Sequence, residues 1–376
     1  MGKERVFLVG INSGGRKISG DSLEELALLS KTAGAVNTGQ ILKTIKKIDP
    51  AYYISEGMVI DLKMLVRQSN ADLVIFDTDL SPAQERNLSD LFEVNVLDRT
   101  RLILDIFAMH AKTSEGKLQV ELALLQYILP RLKGIGIMLS RTGGGIGTRG
   151  PGETKLETDR RKIRLKIKHI KDKLELAQKT RNLHRIKRVK ERIATVTLVG
   201  YTNSGKTSLL HAITNADVMG EDKLFATLGT KMKSMYDKET GNKVIVSDTV
   251  GFIQNLPLFL IESFKATLEE AVYSDLLLHV IDPTQNEAFY KAEEVIKILE
   301  KIGAGDKKII TVLNKTDLIA PEEADALKEK IELLTGSVVI AVSAKEHVNI
   351  DILKKAIFEY LSPLYLHAQE PCPSEI

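Results

Sequence analysis

Gly200-Tyr-Thr-Asn-Ser-Gly-Lys-Thr207 has the spacing G-x-x-x-x-G-K-[ST]. It stands between an apolar run of strand type, Thr195–Val199, and a helical pattern, Ser208–Ile213. The glycines let backbone N–H groups wrap a phosphate chain, and the helix start that follows adds a favourable dipole. A loop of this kind belongs at the carboxyl end of a strand in a parallel sheet with helices on both faces. The motif therefore predicts a doubly wound α/β domain, and strand-type and helical patterns do alternate from Ala194 to about Leu361. Gly200, Tyr201, Thr202, Asn203, Ser204, Gly205 and Ser208 are expected around the phosphates. Lys206 is expected to pair with β- and γ-phosphate oxygens, and the Thr207 hydroxyl to ligate Mg²⁺.

Three further segments follow in an order that narrows the ligand. Val244-Ile-Val-Ser-Asp-Thr-Val-Gly251 is a strand ending in D-x-x-G. Asp248 would hold Mg²⁺ through a water, Thr249 and Val250 would lie along the phosphates, and the Gly251 N–H would sense the γ-phosphate. Between the two phosphate motifs lie Phe225, Ala226, Thr227 and Leu228, where a switch loop is expected. Thr227 is the candidate for a second Mg²⁺ hydroxyl and Thr230 the runner-up. The catalytic groups expected are thus Lys206, Thr227 and Gly251, with Thr207 and Thr227 as metal ligands. Ile309–Leu313 then leads into Asn314-Lys-Thr-Asp317, and Val338–Val342 into Ser343-Ala-Lys345. Guanine presents N–H donors at N1 and N2, whereas adenine presents an acceptor at N1. A carboxylate only accepts, so Asp317 selects guanine. Asn314 accompanies it, Lys315 can cover the base plane with its stem, and a backbone N–H from Ser343, Ala344 or Lys345 can donate to guanine O6. GTP is the expected substrate. Asn203 either shapes the loop or lends its oxygen to a monovalent cation, with K⁺ the candidate. Phe252 stands where Ras-like enzymes place a glutamine that orients the attacking water, which predicts slow intrinsic hydrolysis.

The rest of the chain is organised differently. Residues 1–97 read as a small α/β unit, with strand-type runs at Val6–Ile11 and Leu73–Phe76 and helical patterns at Ser22–Lys31, Met58–Val66 and Ala83–Leu91. Asn12 to Lys17 reads as a loop. Residues 98–193 carry two apolar seams of heptad type. One is Leu118, Leu122, Leu125, Leu129 and Leu132; the other is Ile163, Ile167, Ile170, Leu174 and Ala177. They predict an antiparallel helical hairpin, with Pro130 kinking or ending the first helix. The second is expected to bend around Lys179–Asn182, where the apolar rhythm slips before Leu183, Ile186 and Val189. The G domain is then 194–361 and the tail 362–376.

The chain's net charge of +3 conceals a strong asymmetry. From Lys155 to Arg192, 16 Lys and Arg face 5 Asp and Glu, a net of +11, so the remainder is acidic. The residues between the two seams, Ser140 to Thr154, contain six glycines with Arg141 and Arg149 among them. Glycine at this density permits close backbone approach, and the basic residues suit phosphates, so a nucleic-acid contact is expected there. No apolar run is long enough to span a bilayer, and Val6–Ile11 is too short for a signal peptide. Val6 in place of Ser or Thr removes a myristoylation signal. A single cysteine, Cys372, allows no intramolecular disulfide. The cytoplasm and a monomeric state are expected.

With these residues in view, the chain resembles the HflX-type GTPases. The likeness runs from residue 1 to about 360. It is carried by Asp49-Pro-Ala-Tyr-Tyr-Ile54, Asp79-Leu-Ser-Pro82, Asp98-Arg-Thr100, Glu115-Gly-Lys-Leu-Gln-Val-Glu-Leu122, Gly143 through Thr154, Leu156-Glu-Thr-Asp-Arg-Arg161, Leu224-Phe-Ala-Thr-Leu228 and Asp248-Thr-Val-Gly-Phe-Ile253. The resemblance implies an N-terminal α/β domain, a long helical hairpin and a G domain. It implies binding to the large ribosomal subunit and its ribosomal RNA, with the glycine-rich tip near the peptidyl-transferase region. The implied role is separating stalled or idle ribosomes into subunits in the GTP state. A GTPase of large-subunit assembly or RNA remodelling is the alternative. The chain departs from the family at Gly229, where Asp is usual, and at Ser55-Glu-Gly-Met58, where a glycine-lysine pair is usual. Many relatives carry a further C-terminal domain, so a ribosomal contact made by that domain is expected to be missing here.

Overall fold

A computed structural model describes residues 3–13, 20–140, 151–191, 193–214, 231–237, 240–254, 259–260, 265–285 and 287–366. Packing divides the chain into two compact units, Met1–Glu175 with Pro257–Ser263, and Leu176–Leu256 with Phe264–Ile376.

The first unit contains a four-stranded parallel sheet, order β2-β1-β3-β4, from β1 (Arg5–Ser13), β2 (Val36–Ile45), β3 (Leu73–Phe76) and β4 (Asn95–Asp98). β3 and the Val6–Ile11 stretch of β1 are buried, so they read as apolar runs. Asn12 and Ser13 belong to β1 rather than to a loop, because their backbones pair with Thr44 and Ile45 of β2; residues 14–17 lie outside the described residues. The crossovers are α1 (Gly20–Thr32), α2 (Glu56–Gln68) and α3 (Pro82–Phe92). Pro82 occupies the first turn of α3 behind a capping box formed by Ser81 and Gln84.

α4 (Arg99–His110) and α5 (Ser114–Ser140) follow. α5 continues ten residues past Pro130 and does not end there. Its Arg131 stacks 3.4 Å over the Tyr127 ring and donates to Asp98 Oδ2 at 2.7 Å, while Tyr127 donates to Asp98 Oδ1 at 2.9 Å. This buried polar knot fastens α5 to the end of β4.

α6 (Pro151–Lys190) is a single 40-residue helix. Ile163, Ile167, Ile170, Leu174 and Ala177 are its less exposed positions, as the seam predicts. Lys166 pairs with Glu121 of α5 at 2.5 Å. The tip residues 141–150, with Arg141 and Arg149, lie outside the described residues. Beyond Ala177, where the apolar rhythm slips, the helix runs on without interruption through Lys179–Asn182, and Leu183 and Val189 are 68% and 70% exposed. The packed face there carries Arg181, Arg185 and Arg188, because its neighbour is acidic. α8 (Lys265–Tyr273) offers Glu269 to Gln178 at 2.7 Å and to Arg181 at 3.2 Å, Glu270 to Arg188 at 3.6 Å, and the Tyr273 ring to Arg185 at 3.4 Å.

The second unit holds a six-stranded sheet, order β10-β9-β8-β5-β7-β6, formed by β5 (Ala194–Val199), β6 (Lys231–Tyr236), β7 (Lys243–Asp248), β8 (Leu276–Ile281), β9 (Ile309–Leu313) and β10 (Val339–Ala341). All pairs are parallel except β6 with β7. Helices α7 (Lys206–Thr214), α8, α9 (Ala288–Lys301), α10 (Pro321–Thr335) and α11 (Ile350–Leu366) complete the doubly wound layers. Val196, Leu198, Leu278 and Val312 are wholly buried in the core between them, each worth about 1.5–3 kcal/mol of burial. α11 runs to Leu366, so the expected tail begins inside a helix; 367–376, with Cys372, lie outside the described residues. Among the described residues no helix is long and apolar enough to cross a membrane.

Candidate nucleotide site

β5 is central, with β8 on one side and β7 on the other. The strand order reverses there, and in doubly wound sheets the crevice at such a point receives ligands. Residues 200–205 fill it. Gly205 has φ +86°, and a Cβ there would overlap Asn314 Nδ2, so only glycine lets the phosphate loop pass under the base-recognition segment.

Lys206 opens α7 and curls back over the loop. Its ammonium donates to Gly200 O at 3.1 Å and Tyr201 O at 2.6 Å. Burial lowers its pKa to about 8, opposed by the neighbouring Asp248 carboxylate. A phosphate would supply the missing counter-charge. The sign follows from the two states: the nucleotide-free lysine loses its proton above about pH 8, while the phosphate-bound lysine is held protonated. Nucleotide binding at pH 9 is therefore expected to take up close to one proton, and at pH 7 almost none. Calorimetry in buffers of different ionisation enthalpy measures this, and equal uptake at both pH values would contradict it.

Thr207 Oγ1 donates to Asp248 Oδ2 at 2.6 Å, and Asp248 Oδ1 is buried without a hydrogen-bond partner among the described residues. A hydroxyl and a buried carboxylate oxygen are the hard oxygen donors that suit Mg²⁺. The D-x-x-G segment lies against the phosphate loop: Phe252 N donates to Gly200 O at 3.0 Å and Thr202 N to Phe252 O at 2.7 Å. Thr249 Oγ1 is tied to Leu198 O at 2.7 Å and Val250 is buried. These bonds bring Gly251 beside Lys206. The Phe252 ring is 1% exposed and packs inward.

The base-recognition residues are anchored to the same loop. Asn314 Nδ2 donates to Ser204 O at 3.0 Å, and Asn314 Oδ1 accepts from Ala344 N at 3.0 Å. Lys315 donates to Asn203 O at 2.8 Å and to Asp282 Oδ2 at 2.6 Å. Asp317 sits in a short 3₁₀ turn, Thr316–Leu318, with its carboxylate exposed. Ser343 N is engaged by Val348 O at 3.2 Å and Ala344 N by Asn314, which leaves the exposed Lys345 to offer its N–H to a base oxygen. Ser208 lies in the first turn of α7. Phe225, Ala226, Thr227 and Leu228, with Thr230, lie outside the described residues. Two site residues carry no motif signal: Glu294, which accepts a hydrogen bond from the Tyr201 hydroxyl, and Asp282.

Three family models match the chain: a GTP-binding GTPase N-terminal region over residues 20–108, a GTP-binding GTPase middle region over 110–188, and a 50S ribosome-binding GTPase over 195–315. The chain is 48% identical to the GTPase HflX of Caldanaerobacter subterraneus subsp. tengcongensis over 355 residues, 94% of this chain and 80% of that protein. It is 45% identical to the GTPase HflX of Escherichia coli over 80% of this chain and 70% of that one. The crystal structure of SsGBP in complex with GDP superposes with a TM-score of 0.54 at 26% identity, covering 96% of this chain and 99% of that chain. A phosphate loop, a D-x-x-G segment folded against it and an N-K-x-D turn anchored to the same loop thus stand in a chain with these relatives: it belongs to the HflX family of P-loop GTPases.

Proposed function

We propose that this chain is a cytoplasmic guanine-nucleotide switch that, in its GTP state, binds the large ribosomal subunit and separates stalled or idle ribosomes into subunits. The observation that carries the reading is the polar seam between α6 and α8. α8 follows the D-x-x-G segment in the chain, and α6 is the basic helix, net +11 from Lys155 to Arg192. A change at Gly251 when the γ-phosphate leaves can thus reach an RNA-binding helix through the Glu269–Arg181 and Glu270–Arg188 pairs. The lysines and arginines of α6 suit phosphates of ribosomal RNA, and the family model matched by residues 195–315 is that of a 50S ribosome-binding GTPase.

In the nucleotide site, Lys206 and backbone N–H groups of the phosphate loop hold the phosphates, Gly251 reports the γ-phosphate, and Asp317 reads the base. Thr207 and Asp248, with Thr227 as the further candidate, would hold Mg²⁺. When bound, the ion neutralises charge on the phosphate oxygens. The Asn203 oxygen is the candidate ligand for K⁺; replacing Na⁺ by K⁺ tests it through the hydrolysis rate.

Phe252 supplies no group to orient water, because its ring is buried and its N–H and C=O are tied to Gly200 and Thr202. The isolated protein is expected to hydrolyse GTP on the order of 10⁻³ per second or slower. Purified large ribosomal subunits should raise that rate at least about tenfold, by completing the site. A fast rate that ribosomal subunits leave unchanged would overturn the proposal.

A further inference from the structure

The group that fixes the base-covering lysine lies outside all the nucleotide motifs. Asp282 stands at the carboxyl end of β8, 33 residues before Lys315, and its side chain is 3% exposed. Its two oxygens are divided between two tasks. Oδ1 accepts from Thr284 N at 3.0 Å and Thr284 Oγ1 at 2.6 Å, which closes the turn after β8. Oδ2 accepts from Lys315 Nζ at 2.6 Å and, at a longer 3.5 Å, from Gln285 Nε2. The same ammonium donates to Asn203 O at 2.8 Å. Lys315 has φ 64°, so its backbone turns sharply where the side chain sets out.

We propose that Asp282 is a positioning residue for guanine recognition, holding the Lys315 ammonium between its own carboxylate and the phosphate loop so that the lysine stem lies ready along the base plane. This rests on the reading of Asn314–Asp317 as the guanine-recognition segment. A lysine stem has four rotatable carbons and is costly to order when its head is free. A charge-assisted bond to a buried carboxylate fixes the head before ligand arrives. The second bond, to Asn203 O, makes the same stem a strut between base loop and phosphate loop, so order in one is passed to the other.

The division of labour between the two oxygens gives a selective variant. Asp282→Asn keeps an oxygen for Thr284 but turns an NH₂ donor towards the Lys315 ammonium. Titration with a fluorescent GDP analogue is expected to show affinity lowered about tenfold, the loss of one hydrogen bond to a charged group. KM for GTP should rise in step while kcat stays within about twofold, because Asp282 touches no reacting atom. In a Lys315→Met background, which keeps the stem and removes the ammonium, Asp282→Asn should cost less than about twofold more. If the Asn variant melts early, Asp282→Ser, which also leaves an oxygen for Thr284, takes its place in the same cycle with the same expectation. An equal loss in both backgrounds, or no loss in the first, would overturn the assignment. Wild-type protein that binds GDP no better than ADP would remove the guanine reading itself, whereas GDP selectivity with an additive cycle removes only the role of Asp282.

Discussion

Asp317→Asn is expected to convert a guanine site into a xanthine site. The Asp317 carboxylate is exposed in the 3₁₀ turn that follows β9, free to accept from both guanine N1–H and N2–H. An amide there turns a donor towards the guanine amino group, and one favourable charged contact becomes a clash of donors. Two charge-assisted bonds are worth about 1.5–3 kcal/mol each, so GTP affinity should fall at least about a hundredfold. Xanthosine triphosphate carries a carbonyl in place of the amino group, and the variant should bind it more tightly than GTP. Competition between the two nucleotides for the variant measures this. Unchanged preference for GTP would place base selection elsewhere.

Gly251→Ala is expected to separate nucleotide binding from turnover. A Cβ at Gly251 would come within 2.8 Å of Thr202 N, Thr202 Cα and Lys206 Nζ. The lysine can swing, but the Thr202 backbone is held by its bond to Phe252 O at 2.7 Å. The D-x-x-G segment must therefore lift off the phosphate loop, taking the Gly251 N–H away from the γ-phosphate. The proposed GDP contacts, Lys206, Asn314 and Lys315, remain in the variant, so GDP should bind within about threefold of wild type. Hydrolysis, measured in single turnover with ribosomal subunits present, should fall about a hundredfold, the usual cost of one preorganised donor. A variant that turns over normally would show that Gly251 does not act at the γ-phosphate.

How much of this was legible in the sequence depended on whether a residue sits inside a spaced motif, not on how far along the chain its partner lies. The phosphate loop, Asn314 and Lys315 each stand in such a motif, and the structure brings them together although about 110 residues separate them. Asp248 and Thr207 likewise meet at 2.6 Å. Asp282 and Glu294 were invisible because a lone acid at a strand end or on a helix carries no pattern, whatever its distance along the chain from Lys315 or Tyr201. β2 went unread because, at the sheet edge, it is mostly exposed or half-buried and has no apolar run. β4 is only four residues long and passes directly into α4. In α6 the apolar rhythm predicted the seam while the neighbour was apolar. It slips where the neighbour becomes Glu269 and Glu270, for which arginines are the fitting partners.

We propose that the GTP state of this chain acts on the ribosome mechanically. The most direct test is the sedimentation profile of whole ribosomes on a sucrose gradient after incubation with the protein and a non-hydrolysable GTP analogue. The account predicts that the whole-ribosome peak shrinks, the subunit peaks grow, and the protein travels with the large subunit, while GDP in place of the analogue leaves the profile unchanged. Whole ribosomes that remain intact at saturating protein, with the chain bound only to naked RNA or to precursor particles, would contradict it.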